Sequence, residues 1–306
     1  MSIVETVKRS LSVQIALKLA VLLLALMAVA AIAITTVQTR QMEEATMEKA
    51  RLLVTAAARQ YGDMFDSAID AGLLTVNDVF DTNYVEIKGW NWGKKPKFHT
   101  KYDALTDRSV LVFQDKLLEH DPDYLYAVGL DVNGYVPTHN TSAQRPLDGS
   151  ERDLLENRTK RVYNTNSTEV NRAKSTEPFL LQVYHRDTGE TLWDASAPIW
   201  VKGKHWGAFV LGVSMKRMDA RKVSLMLTLA GIFALVAVVT LFAIFVLVRS
   251  AMRPVVALTE AADQISLGEG LETPIKTDAI DEIGTLTKSI DRLRASMKAA
   301  MQRLGA

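Results

Sequence analysis

The 306-residue chain has no cysteine, and that one absence removes disulfides, zinc–thiolate sites, c-type haem attachment and thiol catalysis together. Also missing are a phosphate-cradling glycine loop, a Gly-x-Ser-x-Gly elbow and any kinase or cyclase segment, so the chain is expected not to be an enzyme. An excess of one charge is lacking too. Against 36 Lys and Arg stand 35 Asp and Glu, a net +1, and no basic stripe offers a footprint for nucleic acid. The histidines His99, His120, His139, His185 and His205 fit no metal-ligand spacing, so neither metal nor cofactor is expected. There is no internal repeat and no low-complexity tract.

Charge is absent locally as well. Leu19–Thr39 and Val223–Val248 contain no charged side chain, and each exceeds the roughly 20 residues that cross about 30 Å of hydrocarbon as a helix. Two transmembrane helices, residues 19–39 and 223–248, are the natural reading. A cleaved leader is the competitor for the first run, since Ala31-Ile32-Ala33 resembles a cleavage site; the run is longer than a usual apolar leader core and continues as helix. Lys8, Arg9 and Lys18 in the tail 1–18 favour an inside N-terminus. The second span is ambiguous, with Lys216, Arg217, Arg221 and Lys222 on one side and Arg249 and Arg253 on the other. A two-pass membrane chain with both termini cytoplasmic follows, the bilayer being one of its partners.

Residues 40–217 then form the extracytoplasmic part. Ala50, Leu53, Ala57, Tyr61, Met64, Ala68 and Ile69 keep a helical period, so the first span should run on as one long helix. Lys88–Pro96 reads as loop, and Arg108–Glu119 as a short helix. Tyr124–Leu130, with Asn133-Gly134 before Tyr135–Thr138, reads as a β-hairpin. Asp148–Tyr163 reads as a surface helix. Phe179–His185, Thr191–Trp200 and His205–Ser214 read as strands, turned at Asp187-Thr188-Gly189 and Lys202-Gly203-Lys204. A long helix with antiparallel strands and an inserted helix is an α+β module, so the fold class is an α+β membrane protein.

Residues 249–303 carry a different pattern. Pro254 suits the first turn of a new helix bearing Val255, Leu258, Ala262 and Ile265, which Gly268 and Gly270 end. A second helix starts at Asp281-Glu282, acids suited to a positive helix terminus. Its Ile283, Leu286, Ile290, Leu293, Met297, Ala300 and Leu304 alternate spacings of 3 and 4, a heptad seam that needs burial against other helices; Thr287 falls outside it.

Arg253-Pro254, the Leu258–Ile265 seam, Gly268, Leu271, Ile275 and Asp281-Glu282-Ile283-Gly284 with Leu286 resemble the HAMP domain of transmembrane histidine kinases and chemoreceptors. The resemblance implies a parallel four-helix bundle from two subunits that switches between two packings, making Pro254, Leu258, Ile265, Gly268, Asp281, Glu282, Ile283, Gly284, Leu286 and Leu293 the relay residues. Gly268-Glu269-Gly270-Leu271 is one residue longer than the usual connector start. Asp131–Asn140, Asn157–Arg161 and Lys204–Gly207 resemble the sensing region of one group of methyl-accepting chemotaxis proteins, PAS-like and of the Cache type. That implies a ligand pocket between the sheet and its covering elements, with Tyr126, His139, Arg158, Tyr184 and Asp194 as candidate ligand contacts and Arg158 able to grip a carboxylate.

A homodimeric receptor for a small-molecule ligand is the leading expectation, chemoreceptor-like but without an output segment before Ala306, so that either a separate cytoplasmic signalling protein receives the signal or the chain is a chemoreceptor split or shortened at its C-terminus. Two other classes stay open: a ligand-free membrane scaffold, and a regulatory subunit of a membrane enzyme or transporter.

Overall fold

In the computed structural model, which describes residues 11–186 and 189–304, helix α1 runs unbroken over Leu11–Asp70. No proline interrupts that stretch and Gly62 is its one glycine, so helix propensity is high throughout. Lys8 and Arg9 lie outside the described residues, as do Asp187 and Thr188. The chain divides into two compact units, Thr36–Met226 and the remainder of the described residues, each taken by itself below.

Thr36–Met226 is an αβ unit. Ala50, Val54, Ala57, Ala58, Tyr61, Phe65 and Ala68 of α1 form one buried stripe, with Leu53, Met64 and Ile69 packed beside it. After α2 (Val76–Val79), capped by Thr75 and Asp78, come β1 (Val85–Glu86) and β2 (Phe98–His99), a two-stranded pair enclosing the expected loop. The single helix expected at 108–119 is two, α3 (Asp103–Ser109) and α4 (Leu111–Glu119). The order continues β3 (Tyr124–Asp131), β4 (Tyr135–Val136), α5 (Glu151–Glu156), β5 (Arg161–Val162), α6 (Ser167–Lys174), β6 (Leu180–His185), β7 (Thr191–Val201) and β8 (Lys204–Ser214). The main sheet is antiparallel in the order β3-β8-β7-β6. Strand alternation gives its two faces different neighbours. Ala127, Ala195, Ala197, Phe209, Leu211 and Val213 pack with the α1 stripe, while Tyr126, Val128, Leu130, Tyr184, Leu192, Ala208 and Val210 form a second core with Val136, Tyr163 and Ala173.

Two expectations fail here. The Asn133-Gly134 turn forms, with Gly134 at φ +82°, yet β4 pairs with β5 and not with β3. Asp131 is the reason. Its Oδ1 accepts from the amides of Asn133 and Tyr135, both 2.9 Å, and its Oδ2 from the Tyr84 and Tyr102 hydroxyls, so the chain leaves the sheet around this carboxylate. A Cβ on Gly134 would sit 2.0 Å from the Tyr163 carbonyl oxygen, which admits β5 instead. The surface helix expected at 148–163 ends at Glu156: Asn157–Arg161 are buried, with Lys160 at φ +59°, bonded to Asp103 and Asp107.

In the other unit the described elements include α7 (Met215–Ser266), which enters from the αβ unit, and α8 (Glu282–Leu304). Pro254 lies inside α7 and does not begin a new helix; proline forfeits one backbone bond without ending a helix this long. The chain stops being helical before Gly268 (φ +80°) and Gly270 (φ +66°).

Candidate functional site

Strand alternation and the departure at Asp131 bring a set of polar side chains to the second core of the αβ unit. Tyr126 and Val128 come from β3, Val136 from β4, Tyr184 from β6 and Arg172 from α6; with His139, Arg158, Tyr163 and Arg186 they line a cavity of about 30 Å³. That is room for a few atoms or a couple of ordered waters. Of the five expected contacts, Tyr126, His139, Arg158 and Tyr184 line it. Asp194 lies behind the wall, accepting on Oδ2 from Arg172 Nη1 at 2.6 Å and from the Tyr126 hydroxyl at 3.4 Å.

Cationic groups dominate. The Arg172 guanidinium lies 4.9 Å over the Tyr184 ring and the Arg186 guanidinium 5.7 Å over that of Tyr126. Arg186 also pairs with Glu190 at 2.9 Å, and the Tyr184 hydroxyl donates to Glu169. His139 Nδ1 accepts from the Asn140 amide at 2.8 Å, so its proton sits on Nε2. Burial, reinforced by Arg158, Arg186, Arg172 and Arg161, pulls this imidazole down to about 3, and it stays neutral. Burial likewise raises the Asp194 carboxyl, with Arg172 pulling the other way. The Arg172–Asp194 pair itself keeps two buried atoms with no hydrogen-bond partner in the protein, Arg172 Nε and Asp194 Oδ1.

Arg172, Arg186, Tyr163 and Glu169 escaped the sequence reading. Two signals were there to be found. Asn166 caps α6 by accepting from the Glu169 amide, an Asn-x-x-Glu start that would have announced the helix and placed Arg172 one turn on. Arg186 follows Tyr184 at strand period. None of the other four histidines lines the cavity: His99 lies beside Asp103, His120 beside Lys49, His185 beside Thr191 and His205 beside Trp200. Among the described residues no group of three or more His, Asp or Glu is placed to hold a metal ion.

The C-terminal helix pair has its own geometry. Leu258 and Ile265 of α7 are buried, as are Leu271, Thr287 and Arg294, with Ile283, Ile290 and Met297 half-buried. Asp281 caps α8, its Oδ1 accepting from the Gly284 amide, and a Cβ on Gly284 would meet the Ala279 carbonyl oxygen at 1.9 Å. Glu282 opens the helix. Leu286 and Leu293 are 43% and 60% exposed, whereas Thr287, expected outside the seam, is 3% exposed. Arg294 ties the connector down: Nη1 donates to the Leu271 carbonyl and Nε to Asp291, whose Oδ1 also accepts from the Ile275 amide.

Residues 246–305 match the family model of the HAMP domain. No curated protein matches the sequence. Helices α1 and α7 are each long and apolar enough to cross a membrane, by length and composition. HAMP domain and candidate spans together support a transmembrane sensor acting in signal transduction.

Proposed function

From a membrane protein with a HAMP domain at residues 246–305, we propose a homodimeric two-pass receptor of a bacterial inner membrane. Its αβ unit is a Cache-type, PAS-like sensing domain outside, its termini are cytoplasmic, and it binds and relays without catalysing. The cavity carries this reading, because a buried guanidinium donor that finds no acceptor in the protein, ringed by aromatic and cationic side chains, is suited to a ligand. A bound molecule shifts the HAMP bundle by its differential affinity for the two packings.

Orientation is read by thiol labelling, since the chain has no native cysteine. Ser167→Cys and Ser296→Cys occupy exposed positions. Ser167→Cys is expected to react with an impermeant maleimide once the outer barrier is opened, and Ser296→Cys only after lysis; the reverse order refutes the topology.

The relay is tested by cross-linking. In a parallel dimer Leu293, exposed in the single chain, faces its symmetry mate, so Leu293→Cys should form an intersubunit disulfide, which needs Cα atoms about 4.4–6.8 Å apart. Thr287→Cys, turned into its own protomer, should cross-link far less. A stabilising ligand is expected to change the Leu293→Cys rate, and a rate indifferent to every such ligand would reduce the coil to a simple dimer joint.

A further inference from the structure

The contents of the cavity narrow the class of molecule it can hold, an inference that rests on the sensing reading. Each acid that touches the wall is engaged by a lining side chain: Glu169 accepts from the Tyr184 hydroxyl, Glu190 pairs with Arg186, and Asp194 Oδ2 takes Arg172 Nη1 at 2.6 Å, the Asp194 and Arg172 side chains being 0% and 5% exposed. Among the described residues that line the cavity there is no carboxylate, while three are arginines. Arg172 keeps a second donor, Nε, buried and without a partner. A guanidinium presents its donors as a rigid planar fork, so a donor left over beside one carboxylate is positioned for a second oxyanion. A cation entering here would meet guanidiniums with no acid in the wall to receive it.

We propose that the Arg172–Asp194 pair is the selectivity element of the site: it holds the Asp194 carboxylate behind the wall and reserves a guanidinium donor. The cavity therefore takes small oxyanions without an ammonium group and rejects amino acids of the same skeleton. A volume of about 30 Å³ limits the ligand to a short carboxylate or an inorganic oxyanion, unless the wall opens.

Matched pairs separate these classes. Calorimetry on the full chain in nanodiscs would compare propionate with alanine and succinate with aspartate, with phosphate and sulfate as the inorganic arm. At least about tenfold tighter binding of one amino-free acid than of its amino counterpart is expected, and phosphate or sulfate binding alone would assign the site to inorganic oxyanions within the same class. Arg172→Gln releases Asp194 and should move the ratio at least about tenfold toward the amino acid, whereas Arg172→Lys keeps the partner for Asp194 and should keep the preference. If Arg172→Gln does not fold, Arg172→Gln with Asp194→Asn leaves no lone buried charge and should lose oxyanion binding without gaining the amino acids. Alanine or aspartate binding as tightly as its partner acid overturns the selectivity claim and leaves the sensing reading standing. Binding of none of the six compounds overturns both.

Discussion

Lys97→Met is expected to destabilise the αβ unit by about 3–5 kcal/mol, the cost of breaking a buried ion pair by removing one partner. Lys97 Nζ lies 2.6 Å from Asp153 Oδ1 with both side chains fully buried, and its ammonium sits 5.6 Å from the Trp92 ring centroid. Asp153 organises the turn before α5, its Oδ2 accepting from the amides of Asp148 and Gly149 and its Oδ1 from Asn157 Nδ2. Without Lys97 that carboxylate is buried with no counter-charge. Lys97→Met with Asp153→Asn keeps an acceptor for the amides and should recover most of the loss. Every tryptophan, Trp90, Trp92, Trp193, Trp200 and Trp206, lies in this unit, so fluorescence-detected unfolding of the full chain reports on it alone. A single variant within about 1 kcal/mol of the parent would show that Asp153 finds water or another cation.

Acid is expected to weaken the same unit through His139. The group binds its proton near 6.5 when unfolded and near 3 when folded. Between those values the unfolded chain holds the extra proton, so stability is lost as pH falls through the window and regained as it rises. From pH 7 to pH 5 the loss from this one group is about 2 kcal/mol. His139→Asn preserves an acceptor for the Asn140 amide without titrating, so its unfolding should depend less on pH by about that amount. Parallel pH profiles for the parent and His139→Asn would rule out a neutral buried imidazole.

What the sequence disclosed was whatever repeats over many residues. The α1 stripe and the Leu258–Ile265 seam of α7 carry a period sustained over several turns, and burial follows it; the strands β6 to β8 show as β-rich runs between turn signals. What stayed hidden depends on single side chains acting at a distance. One carboxylate, Asp131, turns an apparent hairpin into a departure from the sheet, and β4 and β5 are two residues long, too short to show alternation. The candidate site was half legible for the same reason. Tyr126 and Tyr184 sit on strands that pattern alone places and His139 follows the Asn133-Gly134 turn, while Arg158 was expected on a surface helix and Arg172 sits on an eight-residue polar helix with no apolar period. In α8 the heptad was visible, but one seam cannot say which of its members meet the same chain, and Thr287 and Arg294 take that role.

The order of the strands also sets a timetable. β7 and β8 are joined through Lys202 and Gly203 and can zip as soon as both exist, a local closure on the microsecond scale of hairpins. β3, by contrast, pairs in the main sheet with β8 alone, though everything from Val132 to Gly203 is made in between. During synthesis β3 therefore waits with its backbone unpaired until the last strand before α7 appears. The sheet is completed only as the second apolar run begins to emerge, so the interval in which β3 is open to misassociation is set by the rate of elongation.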